Sequence, residues 1–256
     1  LLNWSYVYFS WQIVPKPLRQ AAREALKVTD KQRVIAAFTK LLHTTTSRLT
    51  LRQAATELGK LDAGNKTAIA ALILLLDVSK HEHTQQRIIH SLVNIGHGNQ
   101  NVVQALISFL TTAPDRNLYW DTMTALGAIA KGNQKAIITL VERLNHNAFE
   151  HENDYFTTAV TLWEVDAGNK VASNALIKVL AATNNSHLMS RIADYLLNIN
   201  FDSHTIIAVL SQKLAEDKLE QIRLNCAYYL AQLDVDNQIP LATLIEIIRN
   251  TEDSCL

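Results

Sequence analysis

A Gly-Asn pair returns along this chain at an almost fixed interval, and that recurrence constrains the fold more than any other feature. Aligned on it, one column reads Gly64, Gly98, Gly132, Gly168, Asp202 and Asp236, at intervals of 34, 34, 36, 34 and 34 residues. The next column reads Asn65, Asn99, Asn133, Asn169, Ser203 and Asn237. Glycine and aspartate tolerate a left-handed backbone. Every member of the second column is a strong helix N-cap, whose side-chain oxygen accepts a backbone N–H that the first helical turn leaves without a partner. The spacing therefore predicts a break that ends one helix and caps the next, six times in register.

The flanking residues carry the same period. In the helix after each break, one core column is Phe38, Leu72, Leu106, Leu140, Leu176, Leu210 and Leu244; four residues on lies Leu42, Leu76, Leu110, Leu144, Leu180, Leu214 and Ile248. Three residues before the first lies Ile35, Ile69, Val103, Ile137, Ser173, Ile207 and Leu241, and these offsets make one helical stripe. The adjoining column Ala37, Ala71, Ala105, Thr139, Ala175, Val209 and Thr243 is never larger than Val or Thr, which suits close helix stacking. In the helix before each break, Ala55, Ile89, Met123, Ala159, Ala193 and Ala227 share a column, as do Leu58, Leu92, Leu126, Leu162, Leu196 and Leu230.

Helix–turn–helix units of about 34 residues define an α-solenoid, in which no hairpin buries its own stripe and stacking supplies the core. Seven units are expected, near 17–46, 47–83, 84–114, 115–150, 151–185, 186–217 and 218–250, with a further one starting at 251–256. The segment 1–16 is a separate aromatic piece. Composition agrees with an all-α reading: 48% of the 256 residues are apolar, and there are only 7 Gly and 4 Pro to build turns. The absence of an initiator Met and the helical start after 250 read as a piece of a longer chain.

"LRQAATELGKLDAGNKTAIAALILLL" at 51–76 resembles a HEAT-like repeat of the bilin-lyase type. More narrowly, it is similar to the repeats at the C-terminal end of cyanobacterial NACHT (STAND-class) nucleotide triphosphatases. The match is close for 51–76 and 85–110, fair for 119–144 and 155–180, and weak beyond. The resemblance implies a right-handed superhelix and a sensor or regulatory arm of a larger bacterial signalling NTPase. No Walker A sequence occurs here, so any nucleotide-hydrolysing domain lies outside these residues. HEAT-like phycobilin lyase subunits, which hold a chromophore or its client protein, give a second reading. A HEAT-like DNA-base glycosylase gives a third, which needs a basic groove.

Charge weighs against that third reading. Lys+Arg and Asp+Glu number 24 each, whereas a phosphate-tracking surface carries a basic excess. On the second helices, expected to line the concave face, the outward columns hold Arg33, Asn101 and Lys135, and Lys40, Glu142, Lys178, Gln212 and Glu246. Mixed signs fit a protein or peptide partner, or an upstream domain of the same chain, with no nucleic acid and no membrane. Two cysteines make no disulfide framework and imply a reducing, cytoplasmic setting.

No residues group into a reaction centre, so no catalytic residue, cofactor or metal is expected. "KHEHTQQ" brings His81, Glu82 and His83 together in an inter-unit loop, where solvated polar residues belong and a metal lacks further ligands. "NHNAFEHEND" at 145–154 carries the two extra residues of the 36-residue interval, with His146, Glu150, His151, Glu152 and Asp154; loop variation accounts for it, and a rim-binding feature is the alternative. Cys226 shares a column with Ala54, Ile88, Thr122, Thr158 and Ile192 and reads as a core thiol. "WSYVYFSWQIV" at 4–14 reads as a cap on the first unit or a docking surface. Tyr119, Trp120, Tyr155, Phe156 and Trp163 read as first-helix packing.

Overall fold

The computed structural model describes residues 31–112, 115–146, 149 and 151–233, with single positions nearer the ends (17, 18, 20, 21, 242, 243 and 245). The expected aromatic segment 1–16, the cap Asn237, the outward residue Glu246 and the further unit at 251–256 lie outside the described residues.

Among the described residues there are twelve α-helices and no strand. They are α1 (Lys31–Thr44), α2 (Arg48–Leu61), α3 (Lys66–Val78), α4 (Glu82–Ile95), α5 (Gln100–Thr112), α6 (Arg116–Ile129), α7 (Gln134–His146), α8 (Glu152–Val165), α9 (Lys170–Ala182), α10 (Ser186–Asn198), α11 (Ser203–Glu216) and α12 (Glu220–Leu233). The chain forms two compact units, one ending at Ala136 and the other beginning at Ile137. In the first, α1 packs on α2, α2 on α3, α3 on α4 and α5 on α6, while α1, α3 and α5 form one row and α2, α4 and α6 another. In the second, α8 packs on α9, α9 on α10 and α11 on α12, with α9 touching α11 and α10 touching α12. Each unit thus has a repeating helical architecture.

The repeated columns make the core. Leu58, Leu92, Leu126, Leu162 and Leu196 have no exposed surface, nor do Leu72, Leu106, Leu140, Leu176 and Leu210. Each such leucine contributes roughly 1.5–3 kcal/mol of burial, repeated hairpin after hairpin. The column of Ala54, Ile88, Thr122, Thr158, Ile192 and Cys226 is equally sealed. Its polar members return their hydroxyls to the helix: Thr122 donates to the Leu118 carbonyl at 2.6 Å and Thr158 to that of Asp154 at 2.7 Å. Intrahelical bonds of this kind let threonine occupy a dry column without an orphaned hydroxyl.

One part of the expected stripe sits elsewhere. Ile69 and Val103 are buried, but Ile35, Ile137, Ser173 and Ile207 are only half-buried. The sealed position is one residue earlier, at Ala68, Val102, Ala136, Ala172 and Ile206. Offsets of three and four are both near one helical turn, so only the position of the neighbouring helix chooses between them. The small column is correspondingly half-buried at Ala37, Ala71, Ala105, Thr139 and Val209, and buried at Ala175 and Thr243.

The breaks follow from backbone geometry. After α2, the Asp62 N–H donates to Leu58 O at 2.8 Å and the Asn65 N–H to Asp62 O at 3.1 Å, closing a four-residue turn. Its third residue, Gly64, has φ +82°; Gly98, Gly132 and Gly168 repeat this at +70°, +72° and +87°. That is the position where a type II turn needs glycine or asparagine. A Cβ there would meet nothing within 4 Å, so the requirement is conformational and not spatial. The Gly64 N–H also donates to Ile95 O at 2.9 Å, tying the turn to the next hairpin. Gly59, inside α2, answers to space instead: a Cβ would lie 2.3 Å from Ile95 Cγ2.

Four of the expected caps are in place. Asn65 Oδ1 accepts from the Ala68 N–H at 3.0 Å, Asn99 from Asn101 at 3.0 Å, Asn133 from Ala136 at 3.0 Å and Asn169 from Val171 at 2.9 Å. Ser203 is not a cap. It is the first residue of α11, and Asp202 caps it by accepting from the Thr205 N–H at 3.0 Å. The left-handed residue before it is Asn200, at φ +51°. Here α10 ends in a Schellman arrangement, with Phe201 N–H donating to Leu196 O and Asn200 N–H to Leu197 O. The loop keeps its length but slides one residue toward the N-terminus.

Candidate functional site

The outward columns of the second helices are where a partner was expected. Arg33 and Lys40 on α1, Asn101 on α5, Lys135 and Glu142 on α7, Lys178 on α9 and Gln212 on α11 all face solvent. Some are already engaged: the Lys178 ammonium stands 5.6 Å over the Tyr155 ring, and Gln212 donates to Glu216 at 3.2 Å. Asn101 lines a cavity, together with Leu74 and Ser108.

That cavity is a groove of about 950 Å³ between α3 and α5. Ile69, Leu76 and Phe109, all buried, make its floor, and Ala70, Ile73 and Ala105 its walls. Leu74 stands 58% exposed at the edge, although a leucine there is not needed by the core. Lys66 and Asp77 put opposite charges at the rim. An apolar floor bordered by polar side chains, with a volume near the upper end of ordinary ligand sites, can take an aliphatic side chain with its flanking backbone. The sequence singled out Asn101 but not Ile73, Leu74 or Phe109 as a group. The available signal was the run "AIAALILLL" in α3, which has no polar face and so must expose apolar surface on one side.

The other singled-out residues resolve into structure. His81 precedes α4 without a side-chain cap bond, His83 Nδ1 contacts Gln86 Oε1 at 3.2 Å, and Glu82 accepts from Asn117 at 3.1 Å. In the insertion, Phe149 packs edge-on against Tyr155 with ring centroids 5.1 Å apart. Glu152, the first residue of α8, accepts a hydrogen bond from Thr183 at 2.6 Å, which ties α8 to the C-cap of α9. Tyr119 and Phe156 are buried, Trp120 lies under Arg116 at 4.9 Å, and Trp163 meets Phe201 at 6.1 Å. The Cys226 thiol is sealed, 3.9 Å from the Met189 sulfur, and burial pushes it up to about 12, well above a nucleophilic range.

Among the described residues no three His, Cys, Asp or Glu side chains come together as metal ligands, and no helix is long and apolar enough to cross a membrane. Comparison with protein-family models, with curated proteins and with solved structures found no match to this chain.

Proposed function

We propose that this chain is a non-catalytic interaction scaffold: an α-solenoid of HEAT-like hairpins, wound as a right-handed superhelix, that recognises a peptide segment of another protein or of its own upstream region. The repeat wording at 51–76 extends the reading to a sensor arm of a larger signalling NTPase. The observation that carries it is the groove between α3 and α5, where a 58% exposed Leu74 edges an apolar floor beside the exposed Asn101 and Ser108 of the next hairpin. An exposed leucine beside an apolar floor offers contact area that a partner can bury, and a groove with charges of both signs at its rim suits a peptide with one aliphatic anchor and polar flanks.

The test is a displayed peptide library selected on the chain and counter-selected on Leu74→Glu, a substitution at an exposed site that leaves the core intact. Enriched peptides sharing an aliphatic anchor, each binding the variant at least about tenfold more weakly, are expected. Selection that enriches nothing, or peptides that bind both proteins alike, would overturn the proposal.

A further inference from the structure

The other row of helices in the first unit holds a second cavity with different chemistry. It is a groove of about 620 Å³ crossing α2, α4 and α6, lined by Arg52, Arg87, His90, Asp121 and Thr124 over apolar Ile89 and Ala125. Arg52 is half-buried and Arg87 exposed, and among the described residues neither guanidinium has an ion-pair or hydrogen-bond partner. The Arg52 guanidinium is held below its ordinary value, first by burial and then by repulsion from Arg87. Two like charges therefore face one cavity, neither of them within ion-pair distance of the single carboxylate, Asp121, that also lines it. Across the same cavity, Asp121 Oδ2 is buried and accepts no hydrogen bond. A buried carboxylate oxygen without a donor is costly, and each guanidinium brings five donors in a planar fork that matches a carboxylate. Arg87 and Asp121 occupy equivalent positions of successive hairpins, so their backbones are about 8–10 Å apart, the spacing of packed helices.

We infer that this groove binds the carboxylate end of an amino acid or peptide, with the carboxylate held between Arg52 and Arg87 and the adjacent N–H donated to Asp121. Such a ligand supplies in one small group the anion that the arginines lack and the donor that the aspartate lacks. A simple anion would satisfy only the first, and an amine only the second. The site lies on helices of the other row from the α3–α5 groove, so loss of one does not remove the other.

The experiment is thermal melting of the chain against three panels at millimolar concentration: free L-amino acids, N-acetyl-L-amino acids, and the C-terminal amides of the latter. A binder present well above its dissociation constant is expected to raise Tm by about 2–4 °C. At least one carboxylate-bearing compound should do so while its amide does not, and Arg52→Gln, Arg87→Gln and Asp121→Leu should each abolish the rise while keeping the helical circular dichroism. A response to free amino acids alone identifies a metabolite-sized ligand, and a response to N-acetyl compounds alone identifies a peptide C-terminus. If no carboxylate outperforms its amide, or if the three folded variants respond like the wild type, the inference fails.

Discussion

The α2–α3 hairpin and the α10–α11 hairpin occupy the same place in the repeat yet solve it with different residues. In the first, Gly64 supplies the positive φ, Asn65 caps α3, and Leu75 fills the last turn of α3 at 2% exposure. In the second, Asn200 supplies the positive φ, Asp202 caps α11, and the place of Leu75 is taken by Lys213, at 7% exposure. The Lys213 ammonium lies 3.4 Å from Asp217 and donates to Ala181 O at 3.1 Å, at the end of α9. Its carboxylate partner stands where α3 has Ser79. The α10 helix is 13 residues and α11 is 14, against 14 and 13 for α2 and α3, so the residue lost from one helix is returned to the next. The comparison teaches that the repeat fixes the length of the hairpin and its apolar register, while the loop and its cap are free to slide by one residue and the positive-φ residue by two.

The largest effect tests the lysine. Lys213→Leu leaves Asp217 largely buried without its cation and the Ala181 carbonyl without its donor, and is expected to cost about 3–5 kcal/mol in urea unfolding. Adding Asp217→Ser recreates the Leu75–Ser79 arrangement and should recover about 2 kcal/mol. A double variant no more stable than the single one would mean that the pair does not act as a unit.

A smaller effect separates the turns. Gly64→Ala forces a side chain into a left-handed backbone and is expected to cost roughly 1–2 kcal/mol. Asn200→Gly keeps the conformation that the Schellman turn needs and should change stability by no more than about 0.5 kcal/mol. Equal denaturation midpoints for the two variants would erase the distinction drawn between these turns.

The smallest effect separates the caps. Asn65→Ala should cost about 1 kcal/mol, whereas Ser203→Ala, at a non-capping position, should stay within about 0.5 kcal/mol. Asp202→Ala should lower Tm where Ser203→Ala does not. The two caps also differ in acid. Hydrogen bonds from the Thr205 side chain and backbone hold the Asp202 carboxyl below its ordinary value. A carboxylate with a depressed folded pKa contributes fully above its unfolded value of about 4 and loses that contribution as pH falls through the folded value. Hydrogen exchange at the Thr205 amide should therefore accelerate toward low pH relative to its intrinsic rate, while the Ala68 amide, bound to the non-titrating Asn65, keeps its protection.

The sequence made the hairpins legible because helix breaks and capping chemistry are local. Gly64, Gly98, Gly132 and Gly168 each need only their own backbone angle, and Asn65, Asn99, Asn133 and Asn169 each bond within three residues. The same alignment misassigned Ser203, because Asp202 can serve either as a turn residue or as a cap and column position alone does not decide. It also took the Ile69 column for the inner stripe where the sealed column is that of Ala68, since both lie one turn from Leu72. The grooves were less visible still. Asn101 was singled out for facing outward, but its meeting with Leu74 and Phe109 depends on two helices separated by a third, α4. Arg52, Arg87 and Asp121 had no shared motif at all.

What the sequence determined by itself is an all-helical chain of capped hairpins with leucine-lined inner faces, because periodicity, capping and left-handed glycine are properties of a few neighbouring residues. Which residue within each turn is sealed, where the Asp202 cap falls, and which exposed side chains meet across a groove were decided only in the tertiary structure. Those outcomes depend on the distance and rotation between packed helices, and no residue carries that information until its neighbour is in place.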